Sequence, residues 1–134
     1  MEKILYHYTS TFHLPKIIKV GFLKLTESNL RMDKELYKPV VWLTTAYEPN
    51  PKGLGLTGSI VDKTEIRIHV KKKNSFQYWK SYSRKNKIDK KWAEILETGR
   101  KSNTWWVSTE IIALDDVQLI ENKYTGEIYY SATN

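Results

Sequence analysis

His7 is the first residue whose setting could support chemistry. It sits in Ile4-Leu5-Tyr6-His7-Tyr8-Thr9-Ser10, between two aromatic rings and just ahead of two hydroxyls. A neutral imidazole donates from one nitrogen and accepts at the other, so it can pair with a ligand hydroxyl. The same setting suits a buried histidine tied to a neighbouring carbonyl, and the residues alone leave both roles open. A second candidate lies in Val40-Val41-Trp42-Leu43-Thr44. The Trp42 indole could stack on a flat heterocycle, or it could be a core side chain of a buried strand. His69 alternates with Glu65 and Arg67 in "KTEIRIHV" and reads as a sheet-face residue without a catalytic role.

The remaining chemistry is electrostatic. The chain has 134 residues and a net charge of +7. Residues 71–101 hold 11 Lys or Arg against three acids, and the other residues together are close to neutral. The whole excess therefore lies in one block. Lys80, Arg84, Lys85, Lys87, Lys90 and Lys91 are its candidate partner-binding residues. The partner expected for such a face is nucleic acid or an acidic protein. The alternative is a solvated helical face that keeps the protein in solution. Tyr78, Trp79 and Tyr82 are interleaved with these cations and could stack on bases. Trp79 and Tyr82 are also three apart and would share a helical face as core.

Other chemistries are excluded or disfavoured. There is no cysteine, which removes disulfides, thiol catalysis and cysteine metal sites. Three histidines without a spacing such as HExxH do not suggest a metal. The Gly-rich stretch at 53–58 precedes a strand and not a helix, so it is a poor phosphate cradle. The N-terminus lacks a long apolar segment, and no stretch approaches a membrane span. The expected location is the cytoplasm, with no membrane partner.

The elements that position these residues read as follows. The length predicts a single domain over 1–134. Residues 3–8 form a strand. A helix follows, with Thr11 as N-cap, Pro15 in the first turn, Leu14, Ile17 and Ile18 on one face and Gly21 as C-cap. Residues 38–45 form a strand buried on both faces. Residues 48–59, with two Pro and three Gly, form a loop. In 64–70, Ile66, Ile68 and Val70 face one way and Glu65, Arg67 and His69 the other. Residues 75–87 and 89–99 form two helices, the second capped by Asp89, ended by Gly99 and striped by Trp92, Ile95 and Leu96. "TWWVST" is a strand. A turn at Asp115-Asp116 leads to another, and Thr125-Gly126 turns into a final hairpin arm. The class is α+β, with a helix near the N-terminus and a basic helical insert.

The strand ending in His7, the helix ending in "IIKVGFL" and the strand "VVWLTT" about 20 residues later resemble, in that order, the ADP-ribosyltransferase fold. The nearest-looking branches are the DNA-modifying ADP-ribosyltransferase toxins, the tRNA 2′-phosphotransferases and polymorphic-toxin relatives. The match covers residues 4–45. The resemblance implies a split sheet and NAD as substrate. It implies that His7 bonds a ribose, that the Tyr8 main chain holds the nicotinamide amide and that Thr9 steadies the imidazole or touches the ribose. It implies that Trp42 stacks on nicotinamide, with Thr44 as a small hydroxyl beside it. Such enzymes carry an acid at the head of a later strand to meet charge that develops in the transition state. Thr104 holds that position here, and Glu110 is the nearest acid and the catalytic candidate. Three functions follow: an ADP-ribosyltransferase acting on nucleic acid or an acidic protein, a non-enzymatic inhibitor on the same scaffold, or a nucleic-acid-binding module.

Overall fold

The computed structural model describes residues 3–11, 13–23, 31–32, 35–36, 40–48, 64–88, 90–97 and 102–132. It is a mixed α+β structure built on an antiparallel sheet of seven strands. These are β1 (Ile4–Thr9), β5 (Val41–Thr44), β6 (Ile66–Lys71), β7 (Gln77–Tyr78), β8 (Trp105–Ser108), β10 (Val117–Asn122) and β11 (Ile128–Ser131). Their spatial order is β11-β10-β6-β1-β5-β8-β7. Two ribbons stand apart from the sheet: β2 (Phe22–Leu23) with β9 (Ile112–Ala113), and β3 (Arg31–Met32) with β4 (Glu35–Leu36). The helices are α1 (Leu14–Val20), α2 (Trp79–Lys85) and α3 (Lys90–Glu97). None of the described helices is long and apolar enough to cross a membrane.

The period-two pattern of β6 becomes the two faces of the sheet. Ile66, Ile68 and Val70 join Leu5, Val41, Leu43, Val117 and Ile120 in one core, covered by Leu14 of α1, Leu23 of β2 and Ile112 of β9. On the other face Val40, Trp105 and Val107 pack against Trp79 and Tyr82 of α2 and against Ile88. Strand β5 lies between the two cores. This is why its sequence is a continuous apolar run: Val41 and Leu43 go one way and Trp42 the other.

Strands β1 and β5 lie in one sheet, and α1 packs on it, as the sequence order strand, helix, strand predicts. The start of α1 differs from the expectation. His13 is the N-cap and Pro15 falls in the first turn, while the Thr11 amide donates to Glu65 Oε1 at 3.2 Å. The amides of His13 and Leu14 both reach the Ser10 carbonyl, so the chain makes one tight turn before the helix begins. Ile18 is 40 % exposed, and the apolar stripe narrows to Leu14 and Ile17. Gly21 ends the helix at φ 81°, its N–H on the Ile17 carbonyl, as read from the sequence. Residues 77–78, read as helical, form an edge strand on β8 before α2 starts. The 3-10 turn Leu114–Asp116 and the turn through Gly126 (φ 75°) fall where the sequence places turns. The glycine-rich loop after residue 48, the Asp89 and Gly99 caps and the side chains of Trp92, Ile95 and Leu96 lie outside the described residues.

Candidate functional site

His7 lies where the ladder between β1 and β5 opens. Strand β1 pairs with β6 along its whole length, from Ile4–Lys71 to Thr9–Ile66. Against β5 it registers at Tyr6–Thr44 alone. Beyond that pair the His7 side chain reaches across, with Nδ1 2.8 Å from the Trp42 carbonyl. A carbonyl only accepts, so Nδ1 carries the proton and Nε2 is left as the acceptor. Burial holds the imidazole below its ordinary pKa, and the Trp42 carbonyl opposes that shift only in part. The ring is therefore neutral at neutral pH, with its tautomer fixed by the neighbouring strand.

This has a consequence for stability. A histidine depressed in the folded state binds its proton less readily there than in the unfolded chain. Stability is then full above the unfolded pKa of about 6.5 and is lost as pH falls through the lower, folded value. Urea unfolding followed from pH 7 downward should show this loss, and His7→Phe should remove that part of the slope. An unchanged slope in the variant would show that other groups set it.

The remaining residues of the predicted NAD site are distributed around this gap. Trp42 meets His7 through its main chain. Its indole packs on Trp79 and Trp105, with ring centroids 5.0 and 5.5 Å away, on the α2 side of the sheet. His7 alternates with Leu5 and Thr9 toward the α1 side. The Tyr8 ring points away from His7, and its hydroxyl reaches the carbonyls of Ala46 and Tyr47, each at 2.7 Å. Burial pushes its pKa up to about 12. Thr9 is buried beside Ile66. Thr44 donates to the Thr104 hydroxyl at 3.0 Å and accepts from the Ala46 amide at 3.1 Å. Thr104, at the position expected for the acid, thus ties two strand ends together. Glu110 lies in the turn after β8, exposed, its amide on Ser108 Oγ. Leu43, next to the paired Thr44, registers with Trp106. Ser108 is two residues, about 7 Å, further along β8, and Glu110 lies beyond it. No described contact joins Glu110 to His7.

The basic block gives a clearer grouping. A cleft of about 820 Å³ opens between α2 and α3, and Lys80, Arg84, Lys87 and Lys90 line it with Ser83, Ile88, Ala93, Glu94, Glu97 and Ser102. Lys85 and Lys91 are exposed but do not line it. Glu97 has its own donors: Trp79 Nε1 at 3.2 Å and Ser102 Oγ at 2.8 Å. Trp79 is fully buried and Tyr82 is 3 % exposed, so neither is available to stack on a base. Of the three aromatics interleaved with the cations, two are core.

One cluster was missed by the sequence reading. On the sheet face opposite the α1 core, Arg67 is 3 % exposed, with a partner for each of its three side-chain nitrogens. Its Nε donates to the Tyr8 hydroxyl at 3.3 Å, and its terminal nitrogens reach Glu121 at 3.3 Å and Glu48 at 3.4 Å. The Tyr47 ring covers its guanidinium at 3.7 Å. His69 Nε2 shares the same Glu121 oxygen. The alternation of Glu65, Arg67 and His69 marked this face, but strand pairing supplies Tyr8 and Glu121. Neither His69 nor Arg67 makes a described contact with His7.

The chain matches no family model, no curated protein and no solved structure.

Proposed function

We propose that the protein is ADP-ribosyltransferase-like. In this reading it binds NAD at the gap between β1 and β5, and its acceptor, nucleic acid or an acidic protein, engages the basic block. The observation that carries it is His7, a neutral imidazole whose Nδ1 proton is committed to the Trp42 carbonyl and whose Nε2 is left as an acceptor for a ribose hydroxyl. The single registered pair between β1 and β5 supports the notch that a split sheet needs. Transfer breaks the bond between nicotinamide and ribose and joins the ribose carbon to a nucleophile of the acceptor. Residues near His7 can bind and orient the substrate. Against this reading, the partly buried Trp42 indole already packs on Trp79 and Trp105, and Glu110, exposed in the turn after β8, makes no described contact with His7.

Those two misfits favour a second reading, a binding protein on the same scaffold that acts through its basic cleft without transfer. Calorimetry separates the readings. The first expects heat on titration with millimolar NAD and roughly tenfold weaker binding for His7→Ala, the loss of about one hydrogen bond. No heat from the folded wild type would remove the NAD reading and leave the second.

A further inference from the structure

We infer that the cleft between α2 and α3 is a docking site for the phosphate backbone of single-stranded nucleic acid, and that Lys87 is held in a costly backbone conformation to complete it. This names the partner class of the proposed function. It rests on the acceptor half of that reading and is independent of NAD.

The conformation of Lys87 is the first observation. Helix α2 closes in a Schellman motif. The Ile88 amide returns to the Ser83 carbonyl at 2.9 Å and the Lys87 amide to the Arg84 carbonyl at 3.2 Å. The residue between Asn86 and Ile88 must then adopt left-handed backbone, and Lys87 does so at φ 53°. It is the single non-glycine residue with positive φ among the described residues. Glycine fits this position without steric cost, and asparagine is the usual second choice. The sequence places asparagine one residue early and a lysine in the strained position. Strain retained against an easy remedy marks a position whose side chain is used. Here the motif places Lys87 in the lining of the cleft, next to Ile88, which is packed in the core.

The second observation is the chemistry of the lining. Three lysines and one arginine line the cleft together with two acids, Glu94 and Glu97, so its lining stays net positive. Lysine acts as a point charge on a flexible stem, which suits a phosphate row, whereas carboxylate recognition favours the arginine fork. A protein partner would also need exposed aromatic or aliphatic anchors. The cleft offers Ile88, which is 7 % exposed, and Ala93. Trp79 and Tyr82 are core, so the bases gain no stacking there and recognition is indifferent to sequence. A concave site suits a strand that bends into it better than a stiff duplex. Glu97 adds little repulsion because Trp79, Ser102 and, at 4.0 Å, Lys80 surround its carboxylate.

The test is fluorescence anisotropy of a labelled oligo(dT) with the whole protein, in the absence of NAD. With four phosphates neutralised, log affinity should fall against log salt with a slope of about −2.8, roughly a 50-fold loss for a fourfold rise in salt. Arg84→Glu/Lys90→Glu should abolish binding. Lys85→Glu/Lys91→Glu changes the net charge by the same amount outside the cleft and should weaken it only modestly. Lys87→Gly should raise the thermal midpoint by about 4 °C and reduce the slope by about 0.7. Absence of binding at low salt would overturn the inference while leaving the NAD titration to be judged separately. So would equal losses in the two charge-reversal variants, equal affinity for a poly-glutamate peptide, or a stabilised Lys87→Gly with unchanged affinity and slope.

Discussion

Arg67→Met should cost the fold about 3–5 kcal/mol, the penalty for breaking a buried ion pair from one side. The side chain of Arg67 is 4 % exposed and that of Glu121 17 %. Methionine keeps most of the stem volume but removes every donor. Glu121 then keeps its His69 partner and loses its arginine, and the Tyr8 hydroxyl loses the Nε donor at 3.3 Å. The Tyr47 ring also loses the cation it covers. Glu48 should behave differently although it touches the same guanidinium. Its side chain is 78 % exposed, so solvent screens it, and Glu48→Gln should cost no more than about 0.5 kcal/mol. Urea unfolding of the two variants side by side checks the contrast. If Arg67→Met unfolds within about 1 kcal/mol of the wild type, the cluster is ornamental to stability.

Trp79→Ala should be comparably damaging for an unrelated reason. The indole is fully buried against Trp42, Trp105 and Tyr82. Truncating a buried tryptophan typically costs about 3–5 kcal/mol, because transfer energy is lost and a cavity remains. In a domain of this size the thermal midpoint should fall by roughly 15 °C. Trp79→Phe keeps most of the packing and removes the Nε1 bond to Glu97, whose other oxygen still holds Ser102. It should cost about 1 kcal/mol. The alanine variant should also lose oligonucleotide binding, since Trp79 anchors the helix that carries Lys80 and Arg84. A midpoint within a few degrees of the wild type would mean that α2 is held by other contacts.

What the sequence disclosed depended on how local the determinant was. The strict alternation of β6 and the unbroken run of β5 fixed their faces because a strand's own period decides them. The helical spacing of Trp79 and Tyr82 correctly allowed a core role. The start of α1 was misplaced because Thr11 is a good capping residue in isolation, and the structure spends its amide on Glu65, 54 positions away. Of the Arg67 cluster only the shared face of Glu65, Arg67 and His69 could be read. Arg67 and Glu121 are also 54 positions apart and meet only once β6 is inserted between β1 and β10. The residues expected to hold NAD illustrate the same limit: the order strand, helix, strand puts His7 and Trp42 on strands of a common sheet, but which way each ring turns is settled by the two cores. The cleft was half legible. Charge counting found its cations, but could not tell Lys80, Arg84, Lys87 and Lys90 from Lys85 and Lys91.

The thin seam between β1 and β5 also bears on how the molecule opens. It divides the sheet into a four-stranded block, β11-β10-β6-β1, and a three-stranded block, β5-β8-β7. Within each block the strands register at two or more positions, while across the seam there is one registered pair, with the His7 side chain, the Tyr8 hydroxyl and the shared apolar core as the other links. Partial unfolding of a protein follows its cooperative units, and units part where the fewest bonds join them. The Arg67 cluster belongs mainly to the first block, the tryptophan core and the basic cleft to the second. A histidine at the joint thus serves as one staple between two folding units.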